Sequence, residues 1–572
     1  MFKSGLKFII VTLLVLVALV CSFNYTIRYI VNNNLVDIIN YKRPNRIYDY
    51  TYSNATLDLW NGDLEIHDVT IHPRKNILDS LARIGQHKRI LLEGSLNTLQ
   101  LLNLNILRLV VHQEILIDSF LLIKPSIDLH LNTKVKGDNS ETFTKDLIAE
   151  TLSYGKINFL SLENASIRWI GIEKDTAVYF SCDSVSLTMT NIYTDSTILK
   201  KKEPIAFKEL LFIGRNFKIN TLKDFLFGAK SIEYCYSKNM LELKTIVFKN
   251  KLDKVTYTQN QHYEKEWYDI AIPRMNLTSK NTLRWIEGGY LNINKISIDQ
   301  PNVRVYRDKR LTNPLFKEKS LPSHAIRNIS FPLLIDTIEI NQGKIQYEEI
   351  VETGKNPGKV SFTDFHVNAF HLTNIDRFLK KDANFTVNLK TLLFGEAPID
   401  VQLKFPIQDQ SDKFYASGNI KNLEAVTLNK LLSNMAFVEF KKGYIHFLSF
   451  QFTANNDSAI GTIDAHYTDL KIAILDTNEL FSTRHHKQKK AMGLVANTFL
   501  KTNNIPNTKH YVQGNINAER KKEKFIFNYL WQCIKSGLIS TTINPKLYAK
   551  VVTAKKKKAE KTAKEEASAK TK

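Results

Sequence analysis

The sequence is poor in cysteine. Its four cysteines, Cys21, Cys182, Cys235 and Cys533, stand far apart and form no C-x-x-C pair. That spacing excludes a disulfide framework and a cysteine-built metal site. The motifs of phosphate, hydride and hydrolytic chemistry are missing too. There is no G-x-G-x-x-G, no Walker A loop, no G-x-S-x-G elbow and no H-E-x-x-H. The chain is therefore expected to be no enzyme, with no catalytic residue, no metal and no cofactor. His485-His486 sits in a Lys-rich stretch without partner ligands and reads as a solvated loop. Asp63, Glu65 and Asp68 fall close together, but alternation splits them between faces or a turn, and nothing pairs them with an acid–base partner.

Acidic residues are also short, 57 against 79 Lys and Arg, which leaves a formal net charge of +22. Such an excess asks for an anionic partner, usually nucleic acid or anionic lipid. Much of it is local: from Lys546 to Lys572 there are ten Lys against three Glu. That tail lacks interleaved aromatics, so contact with anionic lipid or a solvated spacer fits it better than nucleic acid. It is expected to be disordered or only marginally helical.

One long apolar run is present. Phe8 to Ile27 carries no charge, and at ~1.5 Å per residue such a run reaches ~30 Å, about one hydrocarbon core. Lys3 and Lys7 precede it, which keeps the N-terminus cytoplasmic. A retained single-pass anchor is the reading. The cleaved-signal alternative lacks a clear small-x-small site. The run from Ile106 to Ile123 is also apolar, but Arg108, His112, Glu114 and Asp118 interrupt it, so it reads as paired strands.

Beyond the anchor, one ten-place form recurs. Ile338 to Tyr347 reads IEINQGKIQY, with apolar residues at places one, three, eight and ten. LDLWNGDLEI from Leu57, FLLIKPSIDL from Phe120, LSLENASIRW from Leu160, ISIDQPNVRV from Ile296 and VEFKKGYIHF from Val438 share the form. A weaker copy runs from Phe225 to Tyr234, with Lys230 at place six. Alternation sends successive side chains to opposite faces, so each copy is strand, bend, strand with one apolar face. Asn61-Gly62 suits a tight hairpin turn. Pro125 and Pro301 suit a corner or a kinked strand instead. Short helices are expected at Asn76–Ile84, Asp146–Ser153, Leu423–Met435, Ala491–Thr502 and Phe525–Leu538. In the last, Phe525, Tyr529 and Cys533 recur at four-residue steps.

A long series of amphipathic strands must hide one face. A closed barrel or sandwich hides it with its own side chains. An open, curved sheet leaves it for an apolar occupant, and beside a membrane that occupant is an acyl chain.

The closing block Val438 to Leu475 carries Gly443-Tyr444-Ile445, then Ala459-Ile460-Gly461, then Tyr467-Thr468-Asp469-Leu470. With the anchor and the bent strand units, this order resembles the AsmA-like family. FNYLWQCIKSGL near the C-terminus looks like the tail of its Bacteroidota-type members. The family is related to TamB-like proteins and to repeating-β-groove lipid-transfer bridges. The resemblance implies an inner-membrane protein with a cytoplasmic N-terminus and a periplasmic bulk. It also implies a role in moving phospholipid between the inner and outer membranes and in outer-membrane homeostasis.

The expected fold is mainly β: an N-terminal transmembrane helix, then an elongated, curved antiparallel β-sheet groove with a few short helices. Residues 1–31 form the cytoplasmic tip and anchor, 32–307 a first groove segment and 308–323 a linker loop. Residues 324–481 form a second segment with the closing block, 482–545 a basic loop and C-terminal helices, and 546–572 the Lys-rich tail. The expected lipid-facing residues are Ile296, Ile298, Val303, Val305, Ile338, Ile340, Ile345, Tyr347, Ile445 and Phe447. Each serves equally well as ordinary core if the sheet closes. The partners expected are phospholipid acyl chains, the inner membrane through residues 8–27, and an outer-membrane or envelope protein, with no nucleic acid. The alternative is a structural or assembly factor that acts on outer-membrane proteins through a sheet edge.

Overall fold

The computed structural model describes residues 47–83, 90–112, 114–131, 154–171, 178–195, 197–198, 205–220, 224–279, 290–312, 318–475 and 500–542. They are mainly β, 62% strand against 14% helix. No helix among the described residues is long and apolar enough to cross a membrane. The apolar run Phe8–Ile27, the His485-His486 stretch, the helix expected at Asp146–Ser153, most of that at Ala491–Thr502 and the Lys-rich tail all lie outside the described residues.

The chain forms two compact units, Met1–Ile246 and Val247–Lys572. The first holds β1 (Tyr48–Thr51), β2 (Asn54–Asp58), β3 (Asp63–Pro73), α1 (Lys75–Arg83), β4 (Ile90–Leu102) and α2 (Ile106–His112). It continues with β5 (Glu114–Ile123), β6 (Ser126–Leu131), β7 (Tyr154–Gly171), β8 (Val178–Asp195), β9 (Glu209–Ile219) and β10 (Phe225–Cys235). The span of β11 (Met240–Asn250) includes the boundary. The second unit holds α3 (Lys254–Gln259), β12 (Trp267–Thr278), β13 (Leu291–Asp299), β14 (Asn302–Asp308), α4 (Pro322–Arg327), β15 (Leu333–Ile350) and β16 (Gly358–Thr373). Then come α5 (Asp376–Leu379), β17 (Asn384–Leu393), β18 (Ala397–Pro406), β19 (Phe414–Glu424), a 3-10 turn at Ala425–Leu428 and α6 (Asn429–Met435). The unit closes with β20 (Val438–Ala454), β21 (Ser458–Ile474), β22 (Gly514–Glu519) and α7 (Ile526–Thr542).

In the first unit β1 and β2 lie against β3, followed in order by β4, the pair β5 and β6, then β7, β8, β9 and β10. In the second the order runs from β12 through the pair β13 and β14 to β15, and on by neighbours to β22. The sheets are not antiparallel throughout, as the sequence reading expected. β5 and β6 pair parallel to β7, and β13 and β14 pair parallel to β15.

The ten-place form explains both exceptions. FLLIKPSIDL and ISIDQPNVRV are broken strands, each interrupted at places five and six. Lys124 and Gln300, at place five, have φ of 52° and 51°. Their amides donate to Glu163 and Asn341, each at 2.8 Å, and the carbonyls of Pro125 and Pro301 accept from Ser166 and Lys344 at 2.8 and 2.7 Å. Proline has no N–H to lose here, because only its carbonyl enters the ladder. The facing copies on β7 and β15 carry the same kink, with Asn164 and Gln342 both at φ 53°. A bulge adds one residue and reverses the alternation. That is why places eight and ten return to the face of places one and three. LDLWNGDLEI, by contrast, is a true hairpin that pairs Leu57 with Leu64 across Gly62 at φ 73°.

One other expectation is corrected. The stretch Ile106–Ile123 is a helix followed by a strand, not paired strands. The Asn105 side chain accepts from the Arg108 amide at 3.0 Å and starts α2, an N-cap that turns the chain into a helix. The stretch 308–323 belongs to the second unit and is anchored where it is described. Leu321 is 0% exposed, and the Lys319 amide donates to the Lys522 carbonyl at 2.8 Å. The helix expected at Leu423–Met435 begins late, because Leu423 and Glu424 still pair with Ile445 and Tyr444 of β20.

The largest buried core lies in the second unit. Phe405 stacks on Phe414 with centroids 5.4 Å apart, and Tyr529 of α7 meets Phe414 edge-on at 6.0 Å. Ile463, Tyr467, Ile516 and Cys533 complete it. Helix α7 also closes the β22 edge. Ser540 Oγ accepts from the Asn515 amide at 2.7 Å, and Ser536 Oγ from the Asn517 amide at 3.2 Å. An edge strand otherwise presents such amides to other chains.

Candidate functional site

Directly paired residues on neighbouring strands share a face, so the registers sort the second sheet into rows. One row reads Leu277, Ile296, Ile338, Ala369, Val387, Leu403, Ala416, Phe452, Gly461, Ile516. The row two residues along reads Met275, Ile298, Ile340, Val367, Leu389, Val401, Gly418, Phe450, Ile463, Gly514. The row between them, on the opposite face, reads Asn276, Ser297, Glu339, Asn368, Asn388, Gln402, Ser417, Gln451, Thr462, Asn515. From β12 to β22, one face carries no polar side chain in these rows and the other carries nothing else. The first unit repeats the apolar row as Leu57, Leu64, Leu101, Phe120, Leu160, Met189, Leu210.

Eight of the ten sequence-predicted residues come together on this apolar face. Ile296 faces Ile338, Ile298 faces Ile340, Val303 faces Ile345 and Val305 faces Tyr347. All eight are half-buried, and none belongs to the core that α7 completes. The other two part company. Ile445 pairs with Leu423 and Tyr467 inside that core. Phe447 pairs with exposed Lys421, and its ring lies 5.5 Å from His466. The register shift between Ile445 and Phe447 puts them on opposite faces, so Phe447 is not a lining residue of the apolar face.

Cover over the face is uneven. Beneath α7 the apolar rows are packed by Tyr529, Leu530, Cys533, Ile534 and Leu538. Burial pushes the Cys533 thiol up to about 12, as befits a hydrocarbon-like site. Over β13 to β15, no core cluster among the described residues takes up Ile296, Ile298, Ile338 or Ile340.

A buried ion network bounds the eight-residue block. Two residues beyond Val305 and Tyr347, on the same face, Arg307 pairs with Glu349 in register. Arg307 Nη2 donates to Glu264 at 2.5 Å and Nη1 lies 3.3 Å from Glu266. Lys309 Nζ donates to Glu349 at 2.5 Å, and so does the Tyr347 hydroxyl. Glu264 and Glu349 are 1% and 5% exposed at their side chains. Burial disfavours the Arg307 charge, but Glu266 and Glu264 hold its pKa above the ordinary value. Burial, then the Glu349 charge, raises the Tyr347 hydroxyl. The Lys524 ammonium is held below its usual range by burial and by the nearby Arg307 charge. The sequence carried a signal for this network that its reading missed. Aligning ISIDQPNVRV with IEINQGKIQY and continuing two places sets Arg307 against Glu349.

No group of three or more metal-ligating side chains gathers among the described residues. A shallow depression of ≈ 320 Å³ lies on the polar face, lined by Asp364, His366, Lys390 and Asp400 among others. Its acids and bases are exposed and paired with one another, His366 with Asp364 at 2.9 Å and Lys390 with Asp400 at 3.8 Å. Asp63, Glu65 and Asp68 do not form a site either: Asp63 accepts from the Asn103 amide and Glu65 from Gln100. No protein-family model matches this chain, and no curated protein matches it.

Proposed function

We propose that this chain holds phospholipid acyl chains against the apolar face of its sheets and passes them along it, without covalent catalysis. The observation that carries the proposal is the unequal cover of one continuous apolar face. Its rows run unbroken across the second sheet, yet only the part beneath α7 and its neighbours is packed as core. Soluble monomers rarely leave contiguous apolar patches beyond a few hundred Å² bare. An acyl chain supplies the missing cover and needs no directional bonding, so it can slide from row to row. Headgroups would remain in water beyond the strand ends, past the ion network of Arg307 and Lys309 that bounds the apolar block.

On this reading the protein is anchored in the bacterial inner membrane by Phe8–Ile27, with its bulk in the periplasm. It would serve lipid movement toward the outer membrane. The AsmA-like resemblance of the closing block supports that setting. Strand addition to outer-membrane proteins is the second reading. It is weakened at β22, where Ser536 and Ser540 already occupy the edge amides.

The test is photo-cross-linking of the full chain with a phospholipid that carries a diazirine in its acyl chain. Adducts on β13, β14 and β15 support the proposal. Adducts confined to residues 8–27 overturn it.

A further inference from the structure

Helix α7 has two unlike faces. Tyr529, Cys533, Gly537 and Thr541 recur at four-residue steps and are buried. Phe527 and Trp531, also four apart, are 76% and 42% exposed, and Phe525 just before the helix is 48% exposed. Lys535 continues the outer stripe and is exposed. Lys319 Nζ stands 4.7 Å over the Phe525 ring.

The charges around this stripe are mostly positive. Arg520-Lys521-Lys522-Glu523-Lys524 leads into it, and residues 546–572, with ten Lys against three Glu, follow it. Two of the nearby acids are engaged, Asp457 with Lys522 at 2.7 Å and Glu318 with Arg520 at 3.8 Å, and Glu523 stands beside Lys524. Lys521 and Lys535 remain exposed. An aromatic stripe alone would suit many partners. Rings flanked by exposed lysines suit the edge of a bilayer, where a ring sits at headgroup depth and ammonium groups meet lipid phosphate. We propose that the outer face of α7 docks on a bilayer bearing anionic headgroups. Phe527 and Trp531 enter the headgroup layer, and Lys521 and Lys535 lie against the lipid phosphates.

This surface is separate from the apolar face that α7 covers from within, so docking stands whether or not that face carries lipid. The test places p-benzoylphenylalanine at Phe527 in the full chain, added to vesicles of phosphatidylcholine with phosphatidylglycerol. Illumination should yield lipid adducts about tenfold above the same probe at Tyr415, an exposed position on the polar face. The yield should fall severalfold in pure phosphatidylcholine. Trp531→Ser with Lys535→Glu should lower it as well. Both positions are exposed, and an unchanged melting temperature confirms the fold. Equal yields at the two probe positions would overturn the proposal, as would indifference to lipid charge. Adducts to a second copy of the chain in place of lipid would overturn it too.

Discussion

The Gln300 amide donates to the Asn341 carbonyl at 2.8 Å, across a parallel strand pair. Lys124 makes the same bond to Glu163 in the first unit, at the same distance. Each donor is in the left-handed region and each precedes a proline. The two units thus share one device: a strand broken at a proline, laid parallel to a strand kinked at the same place. The break preserves the apolar face, because the extra residue restores the phase of the alternation.

That device predicts which substitutions the kinks refuse. A β-branched side chain at positive φ is strained. Asn164→Val and Gln342→Val should each lower stability by about 1–3 kcal/mol, while glycine at either place should be tolerated. Urea unfolding of the full chain measures both, and a neutral valine would contradict the role given to the kink.

The apolar face should fail once it is charged. Ile340→Asp with Ile345→Asp places two carboxylates amid Ile298, Val303 and Val367. Acyl-chain adducts on β13, β14 and β15 should fall by about tenfold or more, since a bare carboxylate in an apolar site is costly. Folding should persist, because neither isoleucine belongs to the main core. Undiminished adducts would argue against lipid on this face.

Arg307 neutralises Glu264, a carboxylate that water barely reaches, and the more open Glu266. Arg307→Ala leaves the buried Glu264 short of a counter-charge and should cost about 3–5 kcal/mol. Arg307→Lys should recover part of that loss, but not the two-pronged contact to Glu264 and Glu266. Calorimetry of the two variants separates lost charge from lost geometry.

Acid should loosen the second unit. Burial raises the Glu348 carboxyl, but the hydrogen bond and charge of Lys254 outweigh it, so its pKa lies below the ordinary value. Asp308 is lowered in the same way by Arg310 against its own burial. In the unfolded chain such groups titrate near ~4. A depressed carboxyl binds fewer protons folded than unfolded, so its contribution is fully present above that pH. It is lost as pH falls through the lower folded value. The melting temperature should therefore hold above about pH 5 and drop below about pH 4. Glu348→Gln should flatten the drop.

Much of the fold was legible because alternation is a local property. The apolar places of IEINQGKIQY identify the strand, its kink and its inward face before any partner is known. Helix α7 was legible from Phe525, Tyr529 and Cys533, although Phe525 proves exposed while the other two are buried. Helix α2 was hidden inside an apolar run because its signal is a single Asn105 cap. Parallel pairing was not legible, because a strand's own residues look alike beside either kind of neighbour. The parting of Ile445 from Phe447 depended on a bulge that only their pairing with Tyr467 and His466 reveals.

The sequence alone determined that one side of these strands is oily and the other wet, since each residue's side follows from its place in the alternation and its bulges. Only the tertiary structure decided where the oily side is covered. That depends on where a distant helix lands, and no local pattern on β12 to β22 encodes the position of Tyr529 and Cys533.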